Sequence, residues 1–310
     1  TSDYAANDLY RTAVCRYQTF SRMTFLKSDA PPEIMHWTSP LPLHWKGSRN
    51  IVTIHDLIPI LNPELCVTAY KDVKKLFQDC CDNAQAIVTV SNAVRTDILK
   101  HLDVSAKKIV NLSQPVEFDT TILTSAITAK ALCPQGGFLY FGLLERRKNL
   151  SRLIRAHGQS RSQRPLTLIG ALGHGSNDII QEKARHPAPE RVHIIPWAHR
   201  SSLLRAIQNA RAVVFPSLAE GFGLPIIEAM LLATPVMTSR GHATEETAGG
   251  AAFLVNPYDT EELANTLKNL DEDDGLIEHL KRLGTERALS FSMDAYGERL
   301  ISFYNNLPAT

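Results

Sequence analysis

The chain reads as an α/β protein with two doubly wound, parallel-sheet domains, and three observations predict it. Short apolar runs recur with helix-period stretches between them. The length of 310 residues, 44% hydrophobic, is enough for two full cores. Four clusters with chemical potential (His55-Asp56, Gly142 to Asn149, Gly170, and Glu220 to Glu228) fall at or just after the ends of apolar runs, where such sheets bind ligands.

The front end departs from the pattern. A doubly wound half opens on a strand and a glycine-rich turn, whereas residues 1–50 hold only Gly47 and no clear apolar strand before Met35-His-Trp37. The amino-terminal domain is therefore expected to be shortened, its first strand and glycine loop either lost or dispensed with. Thr1 to Asp8 shows no basic region leading into an apolar stretch, and no apolar run approaches the ~20 residues that span a bilayer. Neither a secretion signal nor a membrane span is expected.

Seven strands are expected in order: Ile51-Val-Thr-Ile54, Ala86 to Val90, Lys108 to Leu112, Phe138 to Phe141, Leu166 to Ile169, Val192 to Ile195 and Ala212 to Phe215. Ser91 caps the helix carrying Val94, Ile98 and Leu102, and Asn149 stands at the start of one carrying Leu150, Leu153, Ile154 and His157. Between Gln114 and Gly137 both periods fade into Pro115, a Thr-rich stretch and Pro134-Gln-Gly-Gly137. The division is thus residues 1–118 for a first domain, 119–136 for a linker, 137–292 for a second domain, and 293–310 for a terminal helix packing back on the first.

Thirty-three basic against 32 acidic residues give no overall field for nucleic acid. Five cysteines (15, 66, 80, 81 and 133) show no Cys-x-x-Cys spacing, which fits a reducing cytoplasm better than a zinc site or a disulfide framework. No Gly-x-Gly-x-x-Gly opens a βαβ unit, which disfavours a nicotinamide dehydrogenase.

The most informative stretch is Phe215-Pro-Ser-Leu-Ala-Glu-Gly-Phe-Gly-Leu-Pro-Ile-Ile-Glu-Ala-Met230. Gly221 and Gly223 allow a tight turn after a buried strand, and Pro225 suits a helix start. Backbone N–H groups there favour an anion such as a diphosphate. Glu220 before that point and Glu228 one turn beyond would accept hydroxyls of a sugar and a ribose; the bland alternative is a solvated Glu220 and a helix-dipole Glu228. Gly142-Leu-Leu-Glu-Arg-Arg-Lys-Asn149 places Arg147 and Lys148 where a phosphate would meet two cations, or else forms a solvated basic loop, with Arg146 facing water. His55 would donate to a sugar hydroxyl and Asp56 would fix its tautomer or touch an acceptor, unless local backbone holds them. Pro196-Trp197 would meet a nucleobase, although core packing is the plainer role for Trp197. Gly170 allows close backbone approach or a plain turn. Asp271-Glu-Asp-Asp274 reads as a solvated acidic loop between helices rather than a metal site.

Several of these segments, in this order, resemble the retaining nucleotide-sugar glycosyltransferases of family 4. The likeness runs from about His36 onward. It rests on Glu220-Gly-Phe-Gly-Leu-Pro-Ile-Ile-Glu228, a Glu-x7-Glu signature, with Phe215-Pro-Ser217 and Thr234-Pro-Val236 flanking it. Val52-Thr-Ile-His-Asp56, Val88-Thr-Val-Ser-Asn92 and Glu145-Arg-Arg-Lys-Asn149 add to it. The resemblance implies a GT-B fold, two facing Rossmann-like domains with a cleft between them. It implies that Lys148 and Arg147 neutralise the donor diphosphate, that Glu228 binds the ribose, and that Glu220 contacts sugar hydroxyls. Gly221, Phe222, Gly223 and Leu224 would line the sugar and diphosphate pocket together with Gly142, and His55 would sit by the sugar. Two departures are Leu143, where many members carry arginine, and the absent glycine-rich amino-terminal loop.

The implied activity is a metal-independent, cofactor-free transfer of a hexose, with a lean to mannose from GDP-mannose. The acceptor would be a saccharide or lipid-linked saccharide in bacterial surface polysaccharide synthesis. That chemistry would be cytoplasmic, with peripheral contact at the inner face of the membrane. The alternatives are a catalytically silent glycosyltransferase-like binding subunit and a GT-B epimerase or phosphorylase.

Overall fold

The computed structural model describes residues 8–68 and 70–308; the amino end on which no leader is expected lies, up to residue 7, outside them. The chain folds as two compact units, one made of residues up to Ser113 together with Glu298 onward, the other of Gln114–Gly297. Residues 119–136 are not a bare connection. They hold the helix Thr120–Thr128, capped by Asp119, which accepts from the Thr121 N–H. Arg205 fastens its end by donating to the carbonyls of Ile127 (2.8 Å) and Ala129 (2.7 Å). Threonine and isoleucine are weak helix formers, so the periodicity is faint, and the cap and the tertiary bonds offset the poor propensity.

The first unit carries β1 (Thr24–Leu26), β2 (Ile34–Trp37), β3 (Leu43–Trp45), β4 (Arg49–Ile54), β5 (Ala86–Thr89) and β6 (Ile109–Asn111). β1 pairs with β3, and β2-β4-β5-β6 form a four-stranded parallel sheet. β1 thus lies ahead of Met35, where no strand was expected; at three half-exposed residues it is too short to show alternation. Ser91 caps the helix Asn92–His101 by accepting from the Val94 N–H. The helix Met293–Asn305 leaves the second unit at Gly297, and its later turns pack in the first. There the Tyr304 hydroxyl meets His36 Nδ1 at 2.7 Å, and Arg49 donates to the Leu307 carbonyl at 3.2 Å.

The second unit is one six-stranded parallel sheet of β7 (Phe138–Phe141), β8 (Leu166–Ile169), β9 (Val192–Ile195), β10 (Ala212–Phe215), β11 (Val236–Ser239) and β12 (Phe253–Val255). β7, β8 and β10 are buried at every position, which is why they read as continuous apolar runs. The order β12-β11-β10-β7-β8-β9 reverses direction between β7 and β10. This is a topological switch point, where a crevice opens beyond the carboxyl ends of the strands. Among the described residues of the whole chain, no helix is long and apolar enough to cross a membrane.

Asp271 overturns the expectation of a solvated acidic loop. It lies in the helix Thr260–Glu272 and accepts from Arg164 Nε and the Ser162 hydroxyl, both at 2.5 Å. The two partners sit more than 100 residues away, so sequence spacing carries no trace of them.

Two histidines are buried beside this clamp, with rings 5.1 Å apart. The Ala188 N–H donates to His186 Nδ1 (3.0 Å), which leaves the proton of neutral His186 on Nε2. That N–H donates to His157 Nδ1 (3.0 Å), and His157 Nε2–H donates to the Arg164 carbonyl (2.8 Å). One neutral tautomer of each ring satisfies every nitrogen. Burial pushes His157 down to about 4 and lowers His186 as well. An exposed imidazole titrates near ~6.5, so on acidification the unfolded chain takes up protons before the folded one does. Stability is full above pH ~6.5 and falls as the pH drops toward 4, by about 3 kcal/mol for His157. Denaturant unfolding followed from pH 7 to 4.5 should show this loss, and His157→Gln should flatten the slope. An unchanged slope would remove the relay as its cause.

Candidate active site

Both strands at the switch point end in loops that the backbone pins together. After β7, Gly142 turns with φ of 126° and donates to the Ile169 carbonyl at 2.9 Å. After β8, Gly170 has φ of 155°, and a Cβ there would lie 1.8 Å from the Gly142 oxygen, so only glycine lets the two loops cross. The β7 loop then makes a single helical turn, Arg146–Lys148, and the Leu218 N–H of the β10 loop donates to the Arg147 carbonyl at 2.8 Å. Asn149 stands at the start of the helix Leu150–Ser160 but makes no capping bond to it with its side chain. It takes the left-handed conformation (φ 61°), and its amide donates to the carbonyls of Pro216 (3.1 Å) and Pro257 (2.7 Å), tying three loops into one floor.

On that floor Lys148 and Glu220 meet, and neither is solvated: each is only 9% exposed. Lys148 Nζ donates to Glu220 Oε1 at 2.6 Å and lies 4.9 Å above the Phe215 ring, which itself stacks on Tyr140. Arg147 donates to Glu220 Oε2 (2.7 Å), to the Ala219 carbonyl (2.9 Å) and to Glu145 (2.8 Å). Burial pushes the Glu220 carboxyl up, but the charges of Lys148 and Arg147 outweigh it and hold the group below the ordinary carboxylate range. The result is two cations fixed at one carboxylate, with a ring beneath one of them. A cation on a desolvated aromatic face gains up to ~2 kcal/mol. Arg146 lies outside this cluster and pairs with Asp178 at the surface.

The turn from Gly221 to Leu224 is held from behind. Phe222 is buried against Phe291, and the Thr247 hydroxyl donates to the Phe222 carbonyl at 2.8 Å. Of the two glycines only Gly223 has positive φ (106°), and it opens the helix Leu224–Leu231 with Pro225 in its first turn. That leaves the leading amides of a short helix beside the Lys148–Glu220 pair in sequence and fold. Glu228 is anchored by Arg200, Nη2 to Oε1 at 2.5 Å. Arg200 heads the helix Arg200–Gln208 and had no sequence signal, since its partner is 28 residues off and in another helix. Glu145 and Phe215 likewise sat inside quoted motifs without a role. His242, in left-handed backbone (φ 61°), bonds the Glu220 carbonyl at 3.2 Å and was also missed.

Trp197 is not a core residue: it is 66% exposed, with its ring centroid 4.4 Å from that of His199. Pro196 is also exposed. In the first unit, His55 Nε2–H donates to the Thr38 carbonyl (2.9 Å), and Asp56 accepts from the Ile58 N–H (2.9 Å), so both have local backbone partners at the end of β4.

Residues 135–287, which contain all of the second-unit site, match the family described as glycosyl transferases group 1. Over those residues the chain is similar to the group 1 glycosyl transferases. The chain is 28% identical over 269 residues to the O-antigen chain mannosyltransferase B of Escherichia coli, covering 84% of this chain and 71% of that one. It is 24% identical over 272 residues to the serotype-specific mannosyltransferase WbdA of Escherichia coli, covering 83% of this chain but 33% of the relative. Among solved structures it superposes on a sucrose-phosphate synthase from Thermosynechococcus elongatus with a TM-score of 0.70 (20% identity, 89% and 73% of the two chains). It also superposes on HepE of Anabaena, solved with UDP and glucose, with a TM-score of 0.69 (20% identity, 84% and 72%). The chain shares the GT-B fold of these structures, built of parallel α/β sheets.

Proposed function

We propose that this protein is a retaining glycosyltransferase that moves a hexose, mannose from GDP-mannose in the first instance, to a hydroxyl of a saccharide or lipid-linked saccharide in surface polysaccharide synthesis. The observation that carries the reading is the buried Lys148–Glu220–Arg147 cluster at the switch point beside a glycine-opened helix. The likeness to O-antigen mannosyltransferases supports the sugar and the pathway class.

In this reading the acceptor oxygen attacks the anomeric carbon on the face from which the diphosphate departs. The carbon–oxygen bond to phosphate breaks, and the acceptor proton passes to a phosphate oxygen. Charge growing on the diphosphate is met by Lys148, Arg147 and the amides from Gly221 to Leu224, so the proposal includes no metal. Each Glu220 oxygen holds one cation and keeps lone pairs for sugar hydroxyls. When the diphosphate draws the cations, the carboxylate turns toward the sugar. Glu220 is thus a sugar contact and a counter-charge, not a nucleophile. Glu228, steadied by Arg200, takes the ribose, and Trp197 and Pro196 border the base. His55 and Asp56 serve the sugar and acceptor from the first unit, with peripheral membrane contact where the acceptor is lipid-linked.

Calorimetry of GDP, UDP, ADP and dTDP and their sugars, without metal, on wild type and Glu228→Ala checks the donor. GDP should bind, and the variant should bind it at least ~10-fold more weakly, the loss of one charge-assisted bond. Binding that the substitution leaves unaltered would remove Glu228 from the site. Donor binding without turnover on any acceptor would mark a binding subunit instead.

A further inference from the structure

The first unit holds a cavity of about 640 Å³ that the reaction above does not use. It lies between the edge strand β6, which pairs only with β5 among the described residues, and the carboxyl-terminal helix. Its walls are largely hydrocarbon, from Val110, Leu112, Phe303 and Leu307. Its charged residues are unbalanced: Lys107, Lys108 and Arg299 against the single carboxylate of Glu298.

Two polar atoms of lining residues, Arg299 Nη2 and Gln85 Oε1, are buried with no hydrogen-bond partner among the described residues. Neither belongs to a loose side chain. Arg299 Nε donates to the Leu112 carbonyl (3.3 Å), and Gln85 Nε2 donates to the Pro308 carbonyl (2.8 Å). A held guanidinium with a spare donor and a held amide with a spare acceptor are costly to bury unless something pairs with them. A bare inorganic anion would lose hydration against the apolar walls, and a plain hydrocarbon would leave both polar atoms unpaired.

We propose that this cavity is a binding site for an anionic amphiphile, whose acidic head pairs with Arg299 and offers a hydroxyl to Gln85 while its hydrocarbon body lies along Val110 and Phe303. An alkyl phosphate monoester has this chemistry, and the volume falls within the ~300–1,000 Å³ of small-molecule sites. The site is separate from the Lys148–Glu220 cluster and stands whether or not that cluster transfers sugar.

Calorimetry with octyl phosphate below its micelle concentration tests it on the full chain. Saturable one-to-one binding is expected, with octanol and inorganic phosphate each at least ~10-fold weaker. Arg299→Gln, which can still donate to the Leu112 carbonyl, should weaken octyl phosphate at least ~10-fold. Val110→Trp, which fills the cavity from the strand side, should do the same, and nucleotide binding should be unchanged in both. Retention on phosphatidic acid vesicles, lost in Arg299→Gln, would identify a membrane headgroup as the natural source; octyl phosphate binding without retention would identify a free amphiphile. Absence of saturable binding to wild type, equal binding of octanol, or affinity within threefold of wild type in both variants would overturn the proposal.

Discussion

Lys148→Ala is expected to lower turnover at least ~100-fold while the protein stays folded. The ammonium is set by three contacts at once: Glu220 at 2.6 Å, the Phe215 ring beneath it, and a backbone turn locked by Asn149. A donor fixed in advance at a water-poor site stabilises developing charge by ~2.7–4 kcal/mol, or about 100- to 1,000-fold in rate. Alanine removes that contribution and leaves the rest of the cluster in place, because Arg147 still holds Glu220 at 2.7 Å and no buried carboxylate is stranded. With the proposed donor the loss should fall mainly on kcat, since in that mechanism the contact tightens as the diphosphate departs. Turnover within threefold of wild type would take Lys148 out of the mechanism.

Glu220→Gln is the second large effect, and it falls on stability as well as on rate. Glu220 is the shared counter-charge of Lys148 and Arg147, and among the described residues no other carboxylate lies within ion-pair distance of Lys148. Removing one partner of a buried ion pair costs ~3–5 kcal/mol, because the other charge remains out of water. In a unit of this size that lowers the melting temperature by about 6 °C or more. Lys148→Met in the Glu220→Gln background should recover at least half of the loss, since it takes away the stranded cation. Scanning calorimetry of the two variants decides it; a double variant no more stable than Glu220→Gln would mean that the pair is not what holds this floor together.

These two residues also show how far the chain could be read unaided. Glu220, Glu228, Arg147 and Lys148 were picked out by residue type and by position after apolar runs, and residues 138–141 and 212–215 form strands where those runs lie. Which protein groups hold the two carboxylates was not visible. Glu220 is buried between two cations, whereas Glu228 pairs with an arginine at the head of a neighbouring helix. Asp271 and Trp197 ran the other way, the first drawn into a half-buried clamp and the second left outside the core. Their surroundings come from segments far along the chain, and local pattern carries no record of those.

The sequence by itself determined the alternation of buried strands and helices, the glycines at the two crossing loops, and the set of charged groups available for a diphosphate. Those are local properties, written as burial period, backbone freedom at Gly142, Gly170 and Gly223, and side-chain charge. Only the tertiary structure decided that the strand order turns back between β7 and β10. That reversal places the loop after Phe141 beside the loop after Phe215, and so brings Lys148 within 2.6 Å of a carboxylate 72 residues away. Strand order is a long-range choice, made by how sheets pack and pair as a whole, and no window of neighbouring residues contains it.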